Sequence, residues 1–392
     1  MAGMLWFPER PLLRAKLEKR TCVTAFKVLP EMLNFRHSIR TTREPFVKLI
    51  SIPAAALNIL LFLPTTVAAQ SVVQAGSNIS FPAQFDGMTV EASNGAWGDL
   101  ASSYIYRNGG DRIEVIVYRP SYPSVSLWFT QGERRTKELF SRVPITPAGS
   151  PEIFAARSRN SSGMRRFYTI GAPFASTSIA VVGFGQWIVS IRSSSKTFDV
   201  NQQRARLDKI IEQIVVPSSL VESRYPVVPI ADCIGSSKLS FAPEGEPPLA
   251  NLTLEMKLSG GLGAMVASQD AFVGDKGIAA QPSTYCRRQS ITGKTVWFES
   301  VDAGSMPRWI VPVSETGITV EGMLVPTTNK GGTVEMQGVV LTNDHTQSSV
   351  RGFYRQLPNP VSAQLLALTA LVAGASPHAS VKYGTAEIAL VD

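Results

Sequence analysis

From residue 79 onward the apolar positions come in short runs of period two broken by turn residues, and only a few stretches change to helical spacing. Ile79-Ser80-Phe81-Pro82-Ala83 is the first of these runs. Tyr104-Ile105-Tyr106 and Ile113-Glu114-Val115-Ile116-Val117-Tyr118 lie on either side of Arg107-Asn108-Gly109-Gly110-Asp111, which predicts a hairpin. Ser126 to Arg142 sets Leu127, Trp128, Leu139 and Phe140 among Glu133, Arg134, Arg135, Lys137 and Glu138, an amphipathic helix that stops before Pro144. A second hairpin has arms Ile153 to Ala156 and Arg165 to Ile170 around Asn160-Ser161-Ser162-Gly163. A third has arms Ser178 to Val182 and Trp187 to Arg192 around Gly183-Phe184-Gly185. Leu207, Ile210, Ile211 and Ile214 then recur at helical spacing, predicting a helix over Asn201 to Val216 with Asp199 as its cap and Pro217 as its end.

A proline-bearing connector, residues 218–230, follows, with Pro226 and Pro229 after Pro217. The next half opens with Ser236 to Pro243. Leu252, Leu254, Met256 and Leu258 then alternate with Asn251, Thr253, Glu255 and Lys257, the pattern of a strand with one buried face. Further strands are expected at Thr284 to Ser290, Lys294 to Val301, Trp309 to Val313, Ile318 to Val325 and Thr333 to Thr342. The last two flank the turn Thr327-Thr328-Asn329-Lys330-Gly331-Gly332. Ser348 to Leu357 and Val361 to Val372 read as helices, the second apolar enough to be buried and too short to span a bilayer.

Strands, helix, more strands and helix in this order predict an α+β chain of two domains, 70–217 and 231–392, each a twisted antiparallel sheet with packed helices. The two halves read as diverged copies of one unit. Ile79-Ser80-Phe81-Pro82-Ala83 is echoed by Leu239-Ser240-Phe241-Ala242-Pro243, and the aromatic pairs Phe167-Tyr168 and Trp297-Phe298 each begin four residues after a turn glycine, Gly163 and Gly293. Over residues 79–216, the element order and the run Gly185-Gln186-Trp187-Ile188-Val189-Ser190 leading to the Leu207 to Ile214 helix resemble the PsbP-like domains of exported proteins. That resemblance implies a twisted antiparallel sheet covered by helices, with accessory or lipoprotein-like roles, and it names no active site.

Ahead of this region the pattern is different. Arg36, Arg40, Arg43 and Lys48 precede an uncharged apolar run, Leu49 to Leu63, and Val67-Ala68-Ala69 puts small residues before Gln70. These are the three parts of a secretory signal, with cleavage expected between Ala69 and Gln70. The run is about 15 residues, short of the roughly 20 a spanning helix needs, so membrane attachment is expected only if the signal stays uncleaved. Met32 is a plausible start of a signal over residues 32–69, which leaves 1–31 untranslated or as an extended positive region.

Charge follows from this division. The formal net charge is +8, but residues 1–69 hold 10 of the 38 Lys+Arg and 4 of the 30 Asp+Glu, leaving 28 against 26. A nearly neutral chain lacks the basic excess expected of a nucleic-acid binder. His345, His378, Cys233 and Cys286 are the only histidines and cysteines after residue 69. No cofactor and no histidine-built metal site is therefore expected. Export places the two cysteines in an oxidising compartment, where an even pair is expected to bridge, and closing a loop of about 54 residues contributes roughly 4 kcal/mol.

No motif assembles a reaction. Gly260-Gly261-Leu262-Gly263-Ala264-Met265 follows a predicted strand, but G-x-G-x-x-G fails at Val266, so a flexible loop is expected there. Ser193-Ser194-Ser195-Lys196 matches S-x-x-K without its partner motifs, and His345 beside Asp344 is expected to be a solvated turn histidine. Arg134-Arg135, Arg165-Arg166 and Arg287-Arg288 could grip an anion, although neighbouring strand residues point to opposite faces. Trp97, Trp128, Trp187, Trp297 and Trp309 are expected in cores. Asn78, Asn160 and Asn251 head N-glycosylation patterns that matter only on a glycosylating route. The expectation is an exported binding or assembly module of the bacterial envelope, in the periplasm or secreted, whose partner is an envelope protein or a small ligand. A secreted enzyme of unrecognised type, a hydrolase first of all, using carboxylates such as Asp99, Asp111 and Glu114, is the alternative.

Overall fold

The computed structural model describes residues 71–392 except 95–99, 158–160, 221–226, 238, 266–284, 291–294, 301–306, 329–332, 383–387 and 391–392. The expected signal and its cleavage point, Ala69 and Gln70, lie outside the described residues, as do Asp99, Trp97, Asn160 and Gly293. The fold is α+β, with two large antiparallel sheets and a small pair, β1 (Ser71–Val73) with β2 (Ser80–Pro82).

The first sheet contains β3 (Gln84–Phe85), β4 (Met88–Asn94), β5 (Ala101–Asn108), β6 (Asp111–Tyr118), β7 (Ile145–Pro147), β8 (Glu152–Phe154), β9 (Gly163–Ile170), β10 (Ser176–Phe184) and β11 (Trp187–Ser195). Its order is β3-β4-β5-β6-β11-β10-β9-β7, with β8 also paired to β9. The three predicted hairpins are β5–β6, β8–β9 and β10–β11. Alternation sorts their side chains between two cores. Val115, Val117, Val182, Val189 and Ile191 face helix α2 (Val200–Gln213), while Tyr118, Ile179, Val181 and Ile188 face helix α1 (Val125–Leu139). Asp199 caps α2 as expected, in a reciprocal box with Gln202.

The second sheet is a meander of neighbouring strands: β12 (Tyr285–Gln289), β13 (Val296–Ser300), β14 (Arg308–Val313), β15 (Ile318–Thr328), β16 (Val334–Asn343), β17 (Gln347–Tyr354), β18 (Ala379–Lys382) and β19 (Ile388–Leu390). Helix α3 (Pro360–Val372) crosses one face and packs on β14, β15 and β16. The other face turns toward α1. Tyr285, Val296, Phe298 and Ile310 join one buried cluster with Leu127, Trp128 and Phe129 of α1, so the two sheets share a core through that helix.

The structure corrects three sequence-based expectations about local elements. Of residues 348–357, expected to be helical, 348–354 lie in β17, because Ser348 to Tyr354 pairs with β16, Gln347 to Val350 also pairs with β18, and Val350 and Phe353 are buried. Local spacing could not register that pairing. The predicted strand from Asn251 to Leu258 is helical, with Leu254–Met256 running into a π-helical turn, Lys257–Leu262. Thr253 caps it by accepting the Met256 amide at 3.2 Å. The glycines after it are not a flexible loop: a Cβ on Gly260 would lie 2.5 Å from Thr327 Cγ2, so the bare backbone is what allows the turn to close on β15. The third correction concerns α3, which is uncharged but fully buries only Pro360, Ala363 and Ala367.

The repeated landmarks occupy different settings. Phe81 lies in the antiparallel pair β1–β2, whereas Phe241 makes a single parallel bridge to Leu357. Within the connector, Val227 is buried, its amide donates to Ser161 O at 2.9 Å, and Ser126 Oγ of α1 donates to Val228 O at 2.5 Å.

Because α1 is shared, we expect urea to unfold both sheets in one transition, with tryptophan fluorescence and far-ultraviolet circular dichroism coinciding. Two separated midpoints would show that the sheets are energetically independent.

Candidate functional site

Among the described residues, two places that bring chemistry-bearing side chains together bear on function. The first is the seam between the sheets. The turn joining β14 to β15 carries Glu315, and Ser314 (φ 51) and Gly317 (φ 81) take left-handed conformations to form it. This turn delivers the Glu315 carboxylate to β11 of the first sheet, where Ser190 Oγ donates at 2.8 Å and Arg192 Nη2 pairs with the second oxygen. Arg192 Nη1 also donates to Glu114 Oε2 at 2.7 Å, and Arg112 lies 3.2 Å from the other Glu114 oxygen. Burial works against the Arg192 charge, but Glu315 and Glu114 outweigh it and hold its pKa above the usual arginine value. Beside them the Tyr118 hydroxyl is fully enclosed and has no hydrogen-bond partner among the described residues. Burial pushes its pKa well above the ordinary value, and Glu315 adds to the shift.

The same turn is fastened at its other end. Ser121, between β6 and α1, donates its amide to Gly317 O at 2.8 Å and meets Thr319 Oγ1 at 3.0 Å. His345, from the turn between β16 and β17, hydrogen-bonds the Arg119 carbonyl through Nδ1. Its ring fills the space over Gly317, where a Cβ would lie 2.5 Å from Cε1. His345 is therefore 3% exposed and not the solvated histidine expected from its polar neighbours. Burial, the largest influence, lowers its pKa despite the Arg119 hydrogen bond. Farther along the seam Tyr122 and Tyr285 meet edge to face at 6.2 Å, and burial pushes the Tyr122 pKa up to about 12.

The second place is the β12 edge of the second sheet. Cys233 and Cys286 are bridged, with Cα atoms 4.9 Å apart, which places the expected disulfide. Cys233 lies on a segment held to β12 by Cys233 N to Arg287 O at 2.9 Å and Arg287 N to Ala231 O at 2.8 Å. Opposite Cys286 on β13 is Glu299, buried, with its carboxylate among the sulfurs. Ser237 Oγ and Trp297 Nε1 donate to Glu299 Oε1 at 2.8 and 3.0 Å, and Arg288 Nε lies 2.7 Å from Oε2.

The remaining candidates are distributed rather than assembled. Asp111 accepts from Ser195 at 2.7 Å and Arg206 at 2.6 Å, and Glu114 belongs to the seam, so these two alternative catalytic carboxylates serve structural pairs. Arg134 and Arg135 pair with Glu138. Arg165 and Arg166 diverge to opposite faces, toward Glu152 and Asp208 and toward Glu133. Arg287 and Arg288 diverge likewise, to Asp232 and Glu299. Trp128, Trp187 and Trp309 are core residues. Glu315, Tyr118 and Glu299 carry no motif, and Glu315 lies in a polar turn, Ser314-Glu315-Thr316-Gly317, that gives no signal of burial.

Three measurements test the seam. Glu315→Ala leaves Arg192 buried beside a lost partner and should cost about 3 to 5 kcal/mol in urea unfolding. Tyr118→Phe removes an unsatisfied hydroxyl and should change stability by less than about 1 kcal/mol or increase it. His345 has a folded pKa below its unfolded value of about 6.5, so the unfolded chain binds the proton more readily. Its contribution is full above that value and is lost as pH falls through the folded pKa. The pH dependence of stability between about 7 and 5 should flatten in His345→Asn; an unchanged slope would assign it to other groups.

No family model, curated protein or solved structure matches this chain, so its function is read from the geometry of the seam and the disulfide edge.

Proposed function

We propose that the protein is an exported binding or assembly module of a bacterial envelope, working in the periplasm or after secretion, with an envelope protein or a small ligand as its partner. The observation that carries this reading is the Cys233–Cys286 disulfide, a bond that persists in oxidising compartments and is rare in reducing ones. It agrees with the signal pattern over residues 32–69 and the cleavage expected between Ala69 and Gln70. Among the described residues no helix is long and apolar enough to cross a membrane.

The binding part of the reading is supported by surface chemistry. Helix α3 has no charged residue from Pro360 to Val372, fully buries only Pro360, Ala363 and Ala367, keeps Leu366 and Leu368 partly buried, and leaves Val372 47% exposed. An uncharged helix of this kind on an outer face fits docking better than solvation. The element order of the first half, which carries the PsbP-like resemblance and its implied accessory roles, supports the same reading. The shared helix α1 supports the idea that the two sheets serve as one scaffold.

To test export, the chain is produced in a bacterial host, fractionated and alkylated without reduction. We expect periplasmic protein beginning near Gln70 with Cys233 and Cys286 blocked by their bond. Cytoplasmic protein with Cys233 and Cys286 both alkylated would overturn the reading. A photo-crosslinking residue at Val372 should then give one discrete adduct in envelope preparations, absent when the same residue replaces the exposed Lys382.

A further inference from the structure

The disulfide edge holds a ligand set that the oxidised state conceals. Cys286 and Glu299 are directly opposite each other on β12 and β13, and Cys233 reaches them from the adjoining parallel segment. Both sulfurs and a Glu299 carboxylate oxygen lie within 4.8 Å of one another. A tetrahedral zinc ion with bonds of about 2.3 Å to sulfur and about 2.1 Å to oxygen holds its donors roughly 3.6 to 3.8 Å apart, so opening the S–S bond and small side-chain rotations suffice. Strands supply Cys286 and Glu299, and the segment carrying Cys233 is hydrogen-bonded to β12, which fixes their geometry better than a free loop would.

The surroundings of Glu299 fit a metal-ligating carboxylate. Ser237 and Trp297 donate to one oxygen and the Arg288 guanidinium forms an ion pair with the other, 2.7 Å away, and together these contacts orient the group before any ion arrives. Charge also closes: two thiolates and one carboxylate face the ion together with the Arg288 guanidinium, and the sum is neutral. Without an ion, reduction leaves Glu299 beside two thiols and loses nothing else at the site.

We propose that the reduced pair Cys233 and Cys286, with Glu299, forms a zinc(II) site in which Arg288 is a positioning residue. A dithiol reductant supplies two electrons and two protons, becoming its own disulfide, and the S–S bond yields two thiols. Binding of the ion releases both thiol protons, and water completes the fourth position. The chain would thus exchange a covalent tie for a metal tie at the same point of the sheet, bound before oxidation and released by it. This proposal stands apart from the export reading, since it concerns the reduced chain in any compartment.

The test uses the full chain reduced with a phosphine, which with water gives two thiols and the phosphine oxide, then desalted without air. Cobalt(II) is the probe. We expect one ion per chain, a thiolate-to-cobalt charge-transfer band, displacement by zinc(II), and no band in oxidised protein. Cys233→Ser and Cys286→Ser should each abolish the two-thiolate band. Glu299→Gln should weaken binding at least about tenfold, and Arg288→Gln, which keeps all three donors, by about tenfold. Should reduced protein lose its near-ultraviolet circular dichroism, recovery of that signal on adding zinc(II) would support the site, and failure to recover would overturn it. A folded reduced chain without the band, or a Glu299→Gln chain binding as tightly as wild type, would also overturn it.

Discussion

The ion pair between Glu315 and Arg192 is the constraint on which the two-sheet arrangement depends. Each charge would be costly to bury alone, and each is supplied by a different sheet. Their pairing therefore requires the β14–β15 turn to reach β11, and that reach sets the space left for α1. The helix is adapted to it. Gly132 sits where α1 passes the pair, and a Cβ there would crowd Ile179 at 3.1 Å and Glu315 Oε1 at 3.3 Å. A glycine inside a helix costs about 1 kcal/mol relative to alanine, a cost offset by letting the carboxylate past.

Once the pair is fixed, other contacts follow from it. Gly317 must adopt a left-handed conformation to bring the turn down, and the bare glycine leaves a surface that His345 covers. The ring then closes the seam against Arg119 from the far side. An apolar interface alone would permit sliding, because packing energy depends little on direction. Buried hydrogen bonds at Ser121, Ser190 and His345 fix a register that Leu127, Trp128 and Phe129 do not specify by themselves.

The sequence made legible those parts of the fold that depend on near neighbours. Hairpins around Gly109, Gly163 and Gly185, the Asp199 cap and both larger helices of the first half are local events, written in turn residues and in period. The Cys233–Cys286 bond was legible for another reason: counting left a single intramolecular pairing after residue 69. What could not be read were features set by distant strands. Ser348 to Tyr354 is a strand only because β16 and β18 flank it, and the turn at Gly260 is helical because β15 lies against it. His345 was misjudged for the same reason, since its neighbours in sequence are polar while those in space are the Arg119 to Ser121 backbone. Glu299 was invisible as a site residue because its relation to Cys286 is a strand register.

The two outer layers of the molecule are chemically unlike, and this bears on where a partner can sit. Helix α2 covers the first sheet with Arg204, Arg206, Asp208 and Lys209, each held in an ion pair with Glu152, Asp111, Arg165 or Asp86. A partner approaching there would have to break satisfied pairs whose charges gain little from a new neighbour. Helix α3 covers the second sheet with leucines, alanines and small hydroxyl residues, and its removal from water is opposed by no charge. The seam is a poor docking face, because its charged groups are paired with each other and α1 packs between the sheets. On the proposed reading, recognition by surface burial would fall on the α3 side, which Glu315 and Arg192 tie to the first sheet.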